Sequence, residues 1–169
     1  MKVFKFISVI FLLFISFHSN AQQSQSEGNN DNAIVPFEII EEVPVFQGCT
    51  GTNKEKRDCL SLEFRKIIAR NFNQDLANCL ETETIYNSEK KSYEKACKSS
   101  LKPGKYVIYT FFLINKEGNI DRITTRGPHP ILEEEAIRVL NKIPQMKPGK
   151  QKGKNINVKY SLPIVFMVE

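Results

Sequence analysis

Tryptophan is absent from the 169-residue sequence, and histidine occurs only twice, as His18 and His129. So few imidazoles exclude a metal centre built from several histidines. They also leave His129 as the one histidine after residue 21 that could serve as base to a serine or cysteine nucleophile. No GxSxG, phosphate-loop, HExxH or dinucleotide-binding motif occurs. We therefore expect a protein without enzymatic activity, cofactor, metal or small-molecule substrate.

A strong charge excess is also missing. The net charge of +5 falls to +3 once Lys2 and Lys5, near the N-terminus, are left out. This value is too small for a strongly cationic nucleic-acid binder, so we expect no nucleic-acid partner. Five lysines between residues 142 and 154 form a basic run. That run fits either a solvated loop or a contact with an acidic partner or envelope polymer.

No apolar run is long enough to span a bilayer, which takes about 20 residues in a helix. Residues 6–17 are twelve apolar or small residues that follow two lysines, and Ser19-Asn20-Ala21 offers small residues for cleavage before Gln22. This three-part pattern is typical of a secretory signal peptide, here residues 1–21. We expect a periplasmic protein. The alternative is an inner-membrane protein anchored by an uncleaved N-terminus.

Export to an oxidising compartment favours disulfide bonds between the four cysteines. Of three pairings, we favour Cys49 with Cys59 and Cys79 with Cys97, because each closes a local loop. A zinc site is disfavoured, since no Cys-x-x-Cys pair is present. Residues 22–40 are predicted to form a flexible leader and an extended arm. The polar segment at about 78–104 is predicted to be an insertion closed by its own disulfide-bonded cysteine pair.

Hydrophobic periodicity predicts the remaining elements. Residues 53–71 follow a Thr-x-x-Glu capping box and carry apolar residues at helical spacing. Residues 106–114 and 120–125 read as a hairpin, 131–143 as a second helix, and 155–168 alternate apolar and polar residues as a half-buried strand. The predicted fold is α+β, a two-layer sandwich with two helices on a three-stranded antiparallel sheet, in the order α-β-β-α-β.

Four segments resemble the C-terminal domain of TonB proteins, closest to the version found in Bacteroidetes. They are VPVFQG at 43–48, FLINKEGNI at 112–120, PHPILEEEA at 128–136, and IPQMKPGKQKGK at 143–154 with the strand that ends in YSLPIVF at 160–166. The resemblance covers about residues 41–169, apart from the insertion. Met146 replaces the family's aromatic residue, and the segment after the first helix lacks the usual Tyr-Pro-x-x-Ala.

The resemblance implies an energy-transducer-type domain that binds a short extended segment of an outer-membrane receptor during TonB-dependent transport. A working TonB has an uncleaved anchor and a long proline-rich spacer, whereas here a cleavable segment and a short leader precede the domain. The alternative is therefore a structural or interaction module of the cell envelope without energy coupling. Its partner would be another envelope protein, and a homodimer is also open.

The last strand offers a candidate binding edge. Proline has no N–H to donate, so a proline inside a strand is tolerated mainly at a sheet edge. Pro163 therefore predicts that residues 155–168 form an edge strand. The backbone groups of alternate residues should point outward with it, namely those of Asn157, Lys159, Ser161, Pro163 and Val165. An unpaired edge is what strand addition by an extended peptide requires.

Overall fold

The computed structural model describes residues 34–169, so the predicted signal peptide at 1–21 and most of the leader lie outside the described residues. The helices are α1 (Asn53–Asn71) and α2 (Pro130–Leu140), and a 3-10 turn spans Gln74–Asn78. The strands are β1 (Ile34–Pro36), β2 (Glu81–Asn87), β3 (Ser92–Ser99), β4 (Gly104–Ile114), β5 (Ile120–Arg126), β6 (Lys150–Gln151), β7 (Lys154–Asn155) and β8 (Asn157–Val168).

The central sheet has four strands in the order β1-β8-β4-β5. Strand β8 is antiparallel to β4 along the whole of β4, and β5 is antiparallel to β4. Strand β1 pairs with the start of β8 in parallel orientation. The predicted α+β class is correct, but the three-stranded antiparallel sheet is wrong, because the arm supplies a fourth, parallel strand.

The alternation along β8 separates two faces of the sheet. Its even-numbered residues from Val158 to Val168 are buried, and the odd-numbered residues from Lys159 to Met167 are exposed. Strand β4 contributes Ile108, Phe112 and Ile114 to the same buried face. Both helices cover this face, as expected from the period-two pattern of the sequence.

Local interactions define where α1 begins. The side chain of Thr52 accepts a hydrogen bond from the Glu55 N–H, and the Glu55 carboxylate accepts one from the Thr52 N–H at 2.7 Å. This is a complete capping box, which satisfies two backbone donors that the helix itself cannot pair. Leu60 and Phe64 then pack fully buried against the sheet.

The insertion folds as a hairpin of β2 and β3 rather than as an irregular segment. Most of its residues are exposed, including Tyr86 and Tyr93, whose ring centroids lie 5.2 Å apart. Cys79 and Cys97 form a disulfide at its base, and Cys49 and Cys59 form the other disulfide. Both pairs match the expected pairing.

The arm that follows β1 is tied to α1 and to the loop before β8. Val45 and Lys147 exchange two backbone hydrogen bonds of 3.0 Å, and Glu42 pairs in the same way with Lys150. Gly149 permits this approach, because a Cβ there would lie 2.6 Å from Ile40 Cδ1 and 2.8 Å from Val158 Cγ2. The Pro-Gly motif at 148–149 thus has a packing reason: only hydrogen fits at this position.

Candidate functional site: the edge of the last strand

The structure divides the predicted edge into a covered part and a free part. Asn157 and Lys159 are register partners of Ile34 and Pro36 in β1. The prediction that these two residues lie on an open edge is therefore wrong. The arm is apolar and extended, and it forms backbone hydrogen bonds with the start of β8. No strand of the described residues 34–169 pairs with β8 on this side beyond Lys159. We call residues 161–167 the free edge.

Backbone direction along the free edge follows from one hydrogen bond. The Phe37 N–H donates to the Lys159 carbonyl at 3.1 Å, so the backbone groups of Lys159 face away from β4. Because alternate residues of a strand face the same way, Ser161, Pro163 and Val165 also point outward. The missing N–H of Pro163 therefore costs the β4–β8 ladder nothing, as the rule for prolines in strands requires.

A groove runs beside the free edge on the helix side. It has a volume of about 350 Å³ and lies between α1 and β8. The α1 residues Arg65, Ile68 and Ala69 form one wall, and residues 162–165 form the other. A strand added to β8 would direct every second side chain toward this groove. The small side chain of Ala69 leaves space in the groove for a partner side chain.

The opposite face of the sheet is apolar and open. Tyr109, Phe111, Val165 and Met167 are each between 40% and 56% exposed. Leu113 of β4 alternates with Phe111 and Tyr109 toward this face, but it is only 7% exposed. Leu113 lies in a shallow depression together with Ile34, Arg122 and Lys159, among others. The side chains of an added strand that do not enter the groove would meet this apolar face.

Aromatic packing holds β8 in place behind the edge. The Tyr160 ring lies 5.4 Å from Phe112 and 5.3 Å from Phe64 between centroids, in stacked and edge-on arrangements. The Tyr160 hydroxyl lies 3.0 Å from the Ser61 hydroxyl, within hydrogen-bond distance. Burial raises the pKa of Tyr160, so its hydroxyl stays neutral at physiological pH. These contacts anchor β8 to α1 and β4 directly behind the edge.

His129, considered above as a possible base, and two nearby glutamates of α2 make local hydrogen bonds and an ion pair. His129 caps α2, since its Nδ1 accepts a hydrogen bond from the Ile131 N–H. Glu133 accepts from the Gly127 N–H at 2.7 Å, and Glu135 pairs with Arg138. Within residues 34–169, no group of three or more His, Cys, Asp or Glu side chains could hold a metal ion.

The last part of the basic run, from Lys150 to Lys154, forms a tight hairpin of β6 and β7. Its turn is held by the arm, because the Lys152 N–H donates to the Glu41 carboxylate at 2.6 Å. The Gln151 amide contacts the same carboxylate at 3.1 Å. Lys150, Lys152 and Lys154 thus lie in a hairpin whose backbone is bound to the arm.

Sequence reasoning missed two parts of this site, β1 and the groove. Strand β1 has only three residues, so it gives no usable periodicity. The groove joins residues about a hundred positions apart, which no local pattern reveals. The apolar and proline-containing arm was the one available signal, and it indicated extended chain without naming its neighbour.

Within the described residues, no helix is both long and apolar enough to cross a membrane. Comparisons with curated proteins and with solved structures gave no significant match. A family model described as the Gram-negative bacterial TonB protein C-terminal matches residues 106–168. That stretch contains β5, α2, β8 and nearly all of β4. Residues 106–168, which supply the free edge, are therefore similar to the TonB C-terminal domain family.

Proposed function

We propose that this domain binds an extended segment of a TonB-dependent outer-membrane receptor, which adds to the free edge as a further strand. The family match supports a TonB-like, envelope-associated role in protein interaction, in a family of non-enzymatic domains. The proposed location is the periplasm, after cleavage behind Ala21. Coupling to an energy source is not part of the proposal.

The proposal rests on one observation: between residues 161 and 167, the backbone groups of alternate residues point outward, away from β4. Strand addition supplies affinity through main-chain hydrogen bonds and specificity through alternate side chains. Here the main-chain groups of Ser161, Val165 and Met167 are available. One set of partner side chains would enter the groove beside Ala69, and the other would cover Val165 and Met167.

The electrostatics of the site favour a partner with some acidic character. Arg65 lines the groove, and the exposed Lys159 stands where the free edge begins. Cations at an exposed strand edge also discourage random edge-to-edge pairing of chains. A receptor segment that carries a carboxylate near Arg65 would gain a contact that unrelated apolar strands lack.

The test is an NMR titration of the protein with a synthetic peptide that copies the N-terminal segment of a TonB-dependent receptor. We expect amide shifts at residues 161–167 and at Ile68 and Ala69. Shifts clustered on the loop at 147–154, or none at millimolar peptide, would refute the proposal.

Two substitutions at one position separate backbone pairing from side-chain contact. Val165→Pro removes an outward N–H but leaves the ladder to β4 intact, so the fold should persist. One lost backbone hydrogen bond is worth about 0.5–1.5 kcal/mol, which predicts up to roughly tenfold weaker peptide binding. Val165→Ala keeps the N–H and serves as the control. Equal loss in both variants would show that the side chain, not the backbone, makes the contact.

A second candidate function is an interaction module of the envelope without a receptor partner. The β2–β3 hairpin favours it, since this hairpin lies outside the family match and exposes Ile85, Tyr86 and Tyr93. Co-purification of a different envelope protein would support this alternative if it is lost in the Tyr86→Ser, Tyr93→Ser double variant. Receptor-peptide binding that survives the same double variant would assign the hairpin a separate role.

A further inference from the structure

We propose that β1 is an internal competitor for the edge of β8, so that release of β1 lengthens the surface open to a partner strand. This inference rests on the proposed function. Strand β1 occupies the same side of β8 as the free edge and lies directly before it, with Ile34 opposite Asn157, Val35 opposite Val158 and Pro36 opposite Lys159. The chain thus already carries one added strand at its candidate site.

The contacts of β1 show how this edge receives an extended segment. The segment runs parallel to β8, and its continuation donates from the Phe37 N–H to the Lys159 carbonyl. Val35 packs toward the main core cluster, whereas Ile34 and Pro36 are exposed. Pro36 has no N–H, and its position on the outer side of β1 avoids a gap in the pairing. A partner strand in the same orientation would use the same backbone groups of Lys159.

Strand β1 makes fewer stabilising contacts than Phe37, the residue that follows it. Strand β1 has three residues, and Ile34 is 46% exposed. The ring of Phe37, in contrast, lies 4.7 Å from Tyr160 and under the Arg57 guanidinium, 5.0 Å from its centroid. Arg57 also donates hydrogen bonds to the carbonyls of Phe37 and Ile40. The arm can therefore open up to Phe37 while everything after it stays in place.

The position of β1 beside Lys159 distinguishes two classes of partner segment. A segment that pairs only with residues 161–167 can bind beside β1. A segment that extends to Lys159 must displace β1. Its apparent affinity is the intrinsic affinity multiplied by the fraction of molecules in which β1 is open. If β1 is open in about a tenth of the molecules, its removal strengthens binding about tenfold.

The experiment compares the full-length protein with two single substitutions in the arm. Val35→Asp places a carboxylate where β1 meets the core and should release the strand. Ile39→Asp is the matched control, because Ile39 is 71% exposed and lies beyond Phe37. The probe is a synthetic receptor peptide long enough to pair with residues 159–167, so that it must compete with β1. Its dissociation constant is measured by titration calorimetry.

We expect binding to Val35→Asp at least about tenfold tighter than to the unsubstituted protein, with Ile39→Asp unchanged. Equal affinities in all three proteins would overturn the competitor role but leave the proposed function standing. Absence of binding in all three would overturn both.

Hydrogen exchange of the unsubstituted protein gives a measurement that does not depend on the peptide or on the folding of a variant. The Lys159 N–H faces β1, whereas the Tyr160 N–H faces β4. If β1 opens locally, the Lys159 amide should exchange at least about a hundredfold faster than the Tyr160 amide. Equal protection of the two amides would show that β1 leaves only when the domain unfolds, and would overturn the proposal.

Discussion

Replacement of Glu135 by glutamine should destabilise the domain at neutral pH but much less in acid. Glu135 is a buried carboxylate in α2, with 7% of its side chain exposed. It accepts hydrogen bonds from Arg138 Nε and Nη2, each at 2.6 Å, and from the Asn73 N–H at 2.8 Å. Arg138 Nη2 also donates to the Asn71 carbonyl at 2.7 Å. The pair therefore joins α2 to the C-terminal end of α1.

The magnitude follows from these contacts. Glutamine offers one acceptor oxygen instead of two and turns an amide N–H₂ toward the Arg138 donors. Hydrogen bonds to charged groups contribute about 1.5–3 kcal/mol, and we expect Glu135→Gln to lower the free energy of unfolding by about 2 kcal/mol. For a domain of this size that loss corresponds to a fall in Tm of roughly 6–8 °C.

The pH dependence has a definite sign. The Arg138 hydrogen bonds lower the pKa of Glu135 in the folded state below its ordinary value of 4.5, against an opposing effect of burial. A group with a lowered folded pKa stabilises the fold above its unfolded pKa, and this stabilisation is lost as the pH falls through the folded pKa. The difference between the unsubstituted protein and Glu135→Gln should therefore be full at neutral pH and shrink below pH 4.5.

The assay is urea unfolding at a series of pH values from about 7 down to about 3. Glu134→Gln is the matched control, because Glu134 is exposed on the same turn and should change stability by less than about 0.5 kcal/mol. A stability difference for Glu135→Gln that stays constant across the pH range would refute the assignment of the carboxylate as the stabilising charge.

Four further predictions concern other parts of the chain. Mass spectrometry of the native protein should find Gln22 at the N-terminus; an intact Met1 with membrane partitioning would instead support the anchored alternative. Mild thiol reductant should open Cys79–Cys97 before Cys49–Cys59, since Cys97 is exposed and Cys49 is buried. Loss of the Cys79–Cys97 bond should cost no more than about 3 kcal/mol, the loop-entropy value for a separation of 18 residues. Phe111→Lys should reduce self-association through the open face in sedimentation experiments while leaving stability nearly unchanged; an unsubstituted protein that is monomeric at all concentrations would contradict this.

The parts of the fold that were predictable carry their information locally. The capping box at Thr52 and Glu55 marks the start of α1, and the alternation along β8 marks a strand with one buried face. Both disulfides could be assigned because each closes a short loop. In each case, residues close in sequence supply the whole signal.

The parts that escaped prediction depend on distant partners or on exposed residues. The β2–β3 hairpin buries neither face, so its sequence shows no apolar alternation to detect. The pairing of β1 with β8 joins residues more than a hundred positions apart, and the hydrophobic pattern of Ile34 and Val35 does not identify the neighbour. Of the expected edge residues, Asn157 and Lys159 are paired with β1, whereas no strand of residues 34–169 pairs with Ser161, Pro163 or Val165 on that side.

The Cys49–Cys59 disulfide changes how mechanical tension travels through the domain. Tension applied on the N-terminal side first loads the three residues of β1, and then the Arg57 clamp on Phe37. Beyond them, the covalent bridge carries the load from the arm directly into α1 at Cys59, so residues 50–58, which include the first turn of α1, bear no tension. Peeling of the arm therefore stops before it can extend that loop, and the force is delivered to the helix that forms one wall of the groove.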